Sequence, residues 1–187
     1  FIKNSLATLQ GMILEKDKKL AVSFLVKFSR LTQLILNHSG ATYVPLEQEL
    51  QLLESYIQLE KMRAGHKFDY KLEVDSKLDT LFVAPMMIQP VIENAIKHGL
   101  SGKENGSLSI TISRRTENSI LCVVEDNGIG RDLGKTKVSS KGLSLLSNRA
   151  KLLLNEEALT IHDLYYDDGK QAGTKVEIIL PVKRNNG

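Results

Sequence analysis

Residues 93–99 read Glu93-Asn94-Ala95-Ile96-Lys97-His98-Gly99. On an α-helix, Asn94, Lys97 and His98 are spaced i, i+3 and i+4, so their side chains are expected on one face. An amide oxygen can ligate Mg²⁺, and a lysine ammonium can contact the oxygens of a polyphosphate. The same residues also suit a plain helix C-terminus, where Lys and His interact with the dipole and glycine caps the helix. This segment alone leaves a metal–polyphosphate site and a helix end both open.

A second motif, Asp126-Asn127-Gly128-Ile129-Gly130, follows a strand predicted over residues 120–125. A carboxylate at the end of a strand can accept a hydrogen bond from the exocyclic amine of adenine. Gly128 and Gly130 permit positive φ and a close approach of the backbone to a ligand. The alternative is an ordinary turn, because Asp-Asn-Gly is a common turn sequence.

Two further elements come later in the chain. A basic stretch runs from Arg131 to Lys141, with Lys135 and Lys137 inside it, and Gly142-Leu143 follows at a predicted helix start. Such a stretch could close over a triphosphate, although a solvated surface loop has the same composition. Gly173-Thr174 precedes the last predicted strand, where the threonine hydroxyl could hydrogen-bond in a base pocket.

The chain before these motifs is predicted to be helical up to about Arg63. Apolar residues at steps of three and four mark one face of a first helix: Leu20, Phe24, Phe28, Leu31, Leu34 and Ile35. This helix is predicted to end at His38-Ser39-Gly40, and another to start near Pro45. The acidic residues Glu47 and Glu49 near its start suit the helix dipole.

After Gly65 the apolar period changes to two, which is typical of half-buried strands. Strands are predicted at residues 68–74, 108–112, 120–125, 159–164 and 175–180. Helices are predicted at residues 85–98, with a kink at Pro90, and at residues 143–154. Helices followed by strands with interspersed helices predict an α+β fold, with domains at residues 1–64 and 65–187.

Composition restricts the kind of protein. The 187 residues are 42% hydrophobic and 25% charged, with a dispersed net charge of +3, which favours a soluble globular chain over a nucleic-acid-binding one. Cys122 is the single cysteine, so a disulfide or zinc cluster within the chain is excluded, and a buried thiol in a reducing, cytoplasmic compartment is expected. No run resembles a membrane span or a signal peptide. Because the chain opens with Phe1, we expect a fragment whose upstream part holds membrane spans or sensor modules.

In order and spacing, the four motifs together resemble the N, G1, lid, G2 and terminal Gly-Thr elements of the histidine-kinase ATPase domain, over residues 83–181. Chaperone, gyrase and mismatch-repair ATPases share this superfamily. The resemblance implies Mg-ATP as ligand, a metal contact at Asn94, an adenine contact at Asp126, and phosphate contacts at Lys97 and His98. The remaining implied ATP-binding residues are Gly128, Gly130, Lys141, Gly142, Leu143 and Thr174.

The helical part resembles LytS-type sensor kinases. Residues 44–50 and 56–63 look like the stretch that joins their dimerisation helices to the ATPase domain, and residues 88–99 are similar to their N element. Residues 1–6 resemble the segment after the acceptor histidine. The resemblance implies a helical dimerisation hairpin before an α/β two-layer sandwich, a homodimer, and a response-regulator partner, usually of the LytTR type. Lys3 and Ser144 depart from the family pattern, whereas Arg149 matches it.

We therefore expect an ATP-dependent protein-histidine kinase, attached to the bacterial membrane through upstream residues, whose acceptor histidine immediately precedes Phe1. None of the four histidines, at positions 38, 66, 98 and 162, has the surroundings of an acceptor, so this chain alone should not phosphorylate itself. A non-enzymatic ATP-sensing scaffold stays open because of Lys3 and Ser144. An ATP-hydrolysing machine is disfavoured. The related hydrolases resemble one another in having a glutamate that activates water, and Pro90 stands at that position here.

Overall fold

The computed structural model describes residues 2–65, 67–130, 141–154 and 157–184. Its first part consists of three helices, α1 (Ile2–Leu14), α2 (Lys18–Ser39) and α3 (Leu46–Arg63). Asp17 caps α2 by accepting a hydrogen bond from Leu20 N at 3.0 Å. The prediction of a helical region that is interrupted at Gly40 and resumes after Pro45 is confirmed.

The predicted apolar face of α2 points into the protein. Phe24 and Leu31 are fully buried, and the other four apolar residues of that face are half-buried. Lys27 on the same helix donates from Nζ to Gln58 Oε1 on α3 at 2.8 Å. The two helices therefore pack side by side as a hairpin.

Seven strands form one sheet within the described residues. They are β1 (Val44–Pro45), β2 (Phe68–Val74), β3 (Leu81–Val83), β4 (Gly106–Thr116), β5 (Ser119–Asp126), β6 (Leu159–Tyr165) and β7 (Gln171–Arg184). The strand order is β1-β3-β7-β5-β4-β2, and β6 pairs with the first half of β7. Only β2 and β4 are parallel among these pairs. The sheet thus brings the end of β5 between β4 and β7.

All five predicted strands are present, and the observed β4 and β7 extend beyond the predicted bounds. Two strands, β1 and β3, were not predicted, because segments of two and three residues are too short to show an alternating pattern. The pairing of β1 with β3 joins the helical part of the chain to the sheet.

The remaining helices are a 3₁₀ turn (Ser76–Leu78), α4 (Gln89–Asn94), a π-helical turn (Ala95–Gly99) that continues it, and α5 (Lys141–Leu154). The helix predicted from residue 85 starts at residue 89 instead, which puts Pro90 in the first turn. Proline is tolerated there because the first N–H groups of a helix have no intrahelical partner, so the predicted kink at Pro90 is wrong. The helix α4 packs on α5, and the π-helical turn packs on β5 and β7.

Cys122 lies within the core on β5, as expected for a structural thiol. Burial raises the pKa of this thiol to about 12, so it stays protonated and unreactive near neutral pH. The prediction of a buried cysteine is confirmed.

Candidate nucleotide-binding site

Asp126 ends β5 and is 4% exposed. Its register neighbours are Leu108 on β4 and Thr174 on β7. The backbone N–H of Gly128 donates to Oδ1 at 2.9 Å, and the backbone N–H of Thr174 also donates to the carboxylate. Burial raises the pKa of the carboxyl group, while these two N–H groups and Lys103 oppose the rise. The result is a largely desolvated acceptor fixed at the end of a central strand.

Two glycines pack closely against this carboxylate. A Cβ atom on Gly99 would lie 2.5 Å from Asp126 Oδ1, and one on Gly128 would collide with the carbonyl group of Gly99. The carbonyl oxygen of Gly99 accepts from Ile129 N at 3.0 Å, which holds the two motifs together. The sequence predicted Gly99 only as a helix cap, and its contact with Asp126 was missed because the pairing of the motifs is a property of the fold.

Thr174 and Gly173 lie on the other side of Asp126. Gly173 has φ of 138°, and a Cβ atom there would overlap the carbonyl oxygen of Asp126. Thr174 is buried. Gly130 has φ of 72° and lies against Gln171. Thus the structure brings the second and fourth motifs to one place, although 48 residues separate Asp126 from Thr174 in the sequence.

Asn94, the predicted metal contact, is half-buried at the end of α4. Its Nδ2 donates to the carbonyl oxygen of Pro90 at 2.6 Å. Because that acceptor requires the amide nitrogen, the amide oxygen is left for a ligand. No cluster of three or more His, Cys, Asp or Glu side chains suited to a metal occurs in the described part of the chain. One amide oxygen fits Mg²⁺ that is held mainly by phosphates and water.

Lys97 and His98 do not lie as predicted for a regular α-helix. They belong to the π-helical turn, where Leu100 N donates to Ala95 O at 2.8 Å, and this wider turn changes their angle relative to Asn94. The regular α-helix predicted here is therefore replaced by a π-helical turn, and the shared face of the three side chains stays a prediction. Lys97 forms an ion pair with Glu93. It also lines a cavity of about 600 Å³ with Arg63 and Phe68, but Asn94 and Asp126 are not among the residues that line this cavity. His98 is exposed.

The third motif is described only in part. Arg131, Lys135 and Lys137 lie outside the described residues, as does the side chain of Lys141. Gly142 is half-buried and Leu143 is buried in the first turn of α5. The start of a helix carries backbone N–H groups of the kind that bind phosphate.

The same helix α5 contacts the chain just before α4. Arg149 donates from Nη1 to the carbonyl oxygen of Pro85 at 3.0 Å. The buried Glu49 on α3 accepts from the backbone N–H of the next residue, Met86. The sequence assigned Glu49 to the helix dipole, and nothing in its local pattern indicated this long-range contact.

Asn127, in the middle of the second motif, has a structural role. Its Oδ1 accepts from Ser107 N at 2.8 Å, and its carbonyl oxygen accepts from Lys103 Nζ. The Asn127 side chain thereby contacts β4, and these two hydrogen bonds anchor the residue that follows Asp126.

Comparison with known proteins agrees with this geometry. Residues 1–68 match the family "Histidine kinase", and residues 85–184 match the family "Histidine kinase-, DNA gyrase B-, and HSP90-like ATPase". The sensor histidine kinase/phosphatase LytS of Staphylococcus aureus strains MRSA252 and Mu50 is 28% identical over 98% of this chain. The match covers 32% of those relatives, so the chain spans about a third of their length.

Two solved structures share the fold. The histidine kinase domain of the Erythrobacter litoralis EL346 blue-light activated kinase superposes with a TM-score of 0.54 at 15% identity, covering 87% of this chain and 74% of that one. The mycobacterial sensor histidine kinase MprB gives 0.53 at 15% identity, covering 76% and 97%. The α+β prediction is confirmed. The chain belongs to the sensor histidine kinase family, with a histidine kinase helical segment followed by the ATPase fold that this family shares with DNA gyrase B and HSP90.

Proposed function

We propose that this chain is the dimerisation and ATP-binding part of a LytS-like kinase that phosphorylates a histidine immediately before Phe1. The phosphoryl group then passes to an aspartate of a response regulator, of the LytTR type. The protein acts on the cytoplasmic side and is attached to the membrane through residues outside this chain. The observation that carries the proposal is the buried Asp126 carboxylate, with glycines on the neighbouring motif and Thr174 beside it.

Asp126 would accept a hydrogen bond from the exocyclic amine of adenine. The carboxylate is already desolvated, so such a bond is strong, and an acceptor rejects bases that present a carbonyl oxygen at that position. Glycine is needed at positions 99 and 128 for this carboxylate to fit, because a Cβ atom on either would lie 2.5 or 2.6 Å from Asp126 Oδ1. Thr174 supports the same assignment because it is the register neighbour of Asp126.

The triphosphate would extend from this pocket towards Asn94, Lys97 and Gly142. The Asn94 amide oxygen would hold Mg²⁺, which would supply positive charge to stabilise the phosphate oxygens during transfer. Lys97 would exchange its Glu93 partner for phosphate, and the N–H groups at the start of α5 would bind oxygens as well.

Phosphoryl transfer needs mainly positioning and charge neutralisation. A neutral imidazole nitrogen of the acceptor attacks the γ-phosphorus, the bond from phosphorus to the β,γ-bridging oxygen breaks, and ADP leaves with that oxygen. The proton on the attacked imidazole is then lost to solvent. The product is a phosphoramidate, which is acid-labile and alkali-stable.

A homodimer is proposed because the two N-terminal helices expose an apolar surface. The exposed residues are Ile2, Leu6, Ile13, Leu14, Val22, Leu25, Val26 and Leu36. Pairing with a second copy as a four-helix bundle would bury them. Within the described chain, α2 is long and apolar enough to cross a membrane, but the helix of a soluble hairpin meets the same criterion. The contact of Lys27 with Gln58 on α3 supports the hairpin.

The position of Pro90 argues against ATP hydrolysis. Its carbonyl group lies one turn before Asn94 and accepts from the Asn94 side chain, and proline provides no base for activating water. The nearest acidic residue, Glu93, is paired with Lys97.

The experiment extends the chain upstream to include the acceptor and supplies γ-labelled ATP. We expect acid-labile, alkali-stable labelling of the extended protein and none of the present chain. Replacing the acceptor histidine with glutamine should abolish the label without changing ATP affinity. A residue other than histidine there, or a label that survives the replacement, would leave an ATP-sensing scaffold as the function.

A further inference from the structure

Glu49 lies in the first turn of α3 and is 1% exposed. Its Oε2 accepts from Met86 N at 3.1 Å, and the N–H groups of Met87 and Ile88 also donate to the carboxylate. These three donors immediately precede α4, which begins at Gln89. The first N–H groups of a helix lack intrahelical partners, so a carboxylate there satisfies them.

The segment that Glu49 binds is strained. Met86 has φ of 58°, which is unfavourable for a residue with a Cβ atom and persists only where the surroundings enforce it. Arg149 on α5 holds the same segment through the carbonyl oxygen of Pro85, at 3.0 Å. The start of α4 is therefore fixed between α3 and α5.

Burying this carboxylate has a cost. Desolvation raises its pKa, and the N–H groups and Arg149 only oppose that effect. His38, in the last turn of α2, places Nδ1 at 3.9 Å from Oε2 and is also buried. Neither His38 Nδ1 nor Glu49 Oε1 has a hydrogen-bond partner within the described residues. An apolar side chain would pack there with less cost, so the contact with α4 needs another explanation.

Such an explanation lies at the other end of α4. This helix has only six residues and ends at Asn94, the proposed metal contact, whose amide is itself anchored to Pro90 in the first turn. A displacement of the start of α4 is transmitted over one and a half turns directly to that amide.

We infer that Glu49 is a positioning residue for the metal site: it fixes the start of α4 so that the Asn94 amide oxygen faces the phosphates. The inference rests on the proposed function, since it assumes that Mg-ATP binds at Asn94.

The test measures the ATP dissociation constant of the full chain with Mg²⁺ and with EDTA, for the wild type and Glu49→Gln. The side-chain amide of Glu49→Gln keeps one oxygen that can accept a hydrogen bond. It loses the negative charge that interacts with the N–H groups of Met86, Met87 and Ile88. The metal ratio is the dissociation constant in EDTA divided by the dissociation constant with Mg²⁺. We expect Glu49→Gln to lower this ratio about tenfold and to leave the constant in EDTA within about twofold of the wild type. Combining Glu49→Gln with Asn94→Ala should lower the ratio no further than Asn94→Ala alone.

Glu60→Gln is the matched control. Glu60 is a second buried carboxylate on α3, 3% exposed, but its partner Arg63 belongs to the same helix. We expect Glu60→Gln to lower the melting temperature without changing the metal ratio. Glu49→Asp, which retains the charge on a shorter side chain, gives an intermediate ratio and decides the question if Glu49→Gln does not fold.

The outcomes separate the two ideas. A wild-type ratio in a folded Glu49 variant, or the same ratio change in Glu60→Gln, overturns the positioning role. Failure of the wild type to bind Mg-ATP overturns the proposed function itself.

Discussion

A single methyl group at Gly99 should remove most of the affinity for ATP. The Cβ atom of Gly99→Ala would lie 2.5, 2.7 and 2.9 Å from Oδ1, Cγ and Oδ2 of Asp126. Ordinary contacts of carbon atoms begin near 3.5 Å, so the carboxylate has to move by about 1 Å. The backbone of Gly99 does not have positive φ, so alanine itself is tolerated there.

The size of the effect follows from hydrogen-bond geometry. The bond from Gly128 N to Asp126 Oδ1 is 2.9 Å long, and hydrogen bonds between these atom types are lost beyond about 3.5 Å. A shift of about 1 Å therefore breaks it and removes the acceptor from the adenine position. Losing one hydrogen bond to a buried charged group costs about 1–3 kcal/mol, or roughly 5- to 150-fold in affinity.

Isothermal titration of Gly99→Ala with ATP and with ADP measures this loss. Both nucleotides should weaken equally, since the defect concerns the base, and the gain from Mg²⁺ should be retained. Gly11→Ala is the control: it makes the same chemical change in α1, where a Cβ atom meets nothing within 4 Å. It should stabilise the chain by about 0.5–1 kcal/mol and leave ATP affinity unchanged. Wild-type affinity in a folded Gly99→Ala protein would refute the placement of adenine at Asp126.

Three further predictions concern single side chains. Asp126→Asn should weaken ATP binding about 5- to 150-fold in a titration, because the amide presents a donor to the adenine amine. Asn94→Ala should lose the gain in affinity from Mg²⁺ more than nucleotide binding itself, which titrations with metal and with EDTA separate. Cys122 should react with a disulfide reagent at pH 8 only after denaturation. Because the unfolded thiol loses its proton near the ordinary cysteine pKa of 9.0 and the folded one near a pKa of about 12, the free energy of unfolding should fall as pH rises between these values. Cys122 contributes at most about 1.4 kcal/mol per pH unit to this slope, and the difference in slope between the wild type and Cys122→Ala measures that contribution.

Each of these has a contrary result. Unchanged ATP affinity in a folded Asp126→Asn protein would place the base elsewhere. Equal losses with and without metal in Asn94→Ala would make that residue a general binding contact. Rapid modification of the native thiol would mean that β5 opens readily.

Elements with a long, regular pattern could be predicted from the sequence. The apolar steps of α2 and the alternation along β2 both predicted the observed elements, because burial of one face requires that periodicity. The short strand β3 could not be predicted, since three residues carry no period. The π-helical turn at residues 95–99 was also missed, because its hydrogen bonds depend on packing against the sheet.

Within the candidate site, too, residues in local motifs could be predicted and long-range contacts could not. Asp126 and Thr174 were proposed from local motifs, but their adjacency follows from the register of β5 and β7, which only the resemblance to a known fold suggested. Glu49 carried no local signal: an acidic residue early in a helix is common, and its partner Met86 is 37 residues away. Long-range contacts to backbone groups leave no pattern in one sequence.

Because Lys97 forms an ion pair with Glu93, the Glu93 carboxylate and the phosphates of a nucleotide would compete for the same ammonium group. On the proposed function, the Glu93 carboxylate is an intramolecular anion that occupies the ammonium until phosphate displaces it. A partly exposed pair at this helical spacing contributes only about 0.3–0.5 kcal/mol, so the competition weakens ATP binding by about twofold at most. A ligand with more negative charge displaces Glu93 from Lys97 more easily. Nucleoside monophosphates should therefore be at a disadvantage against ATP from this competition alone.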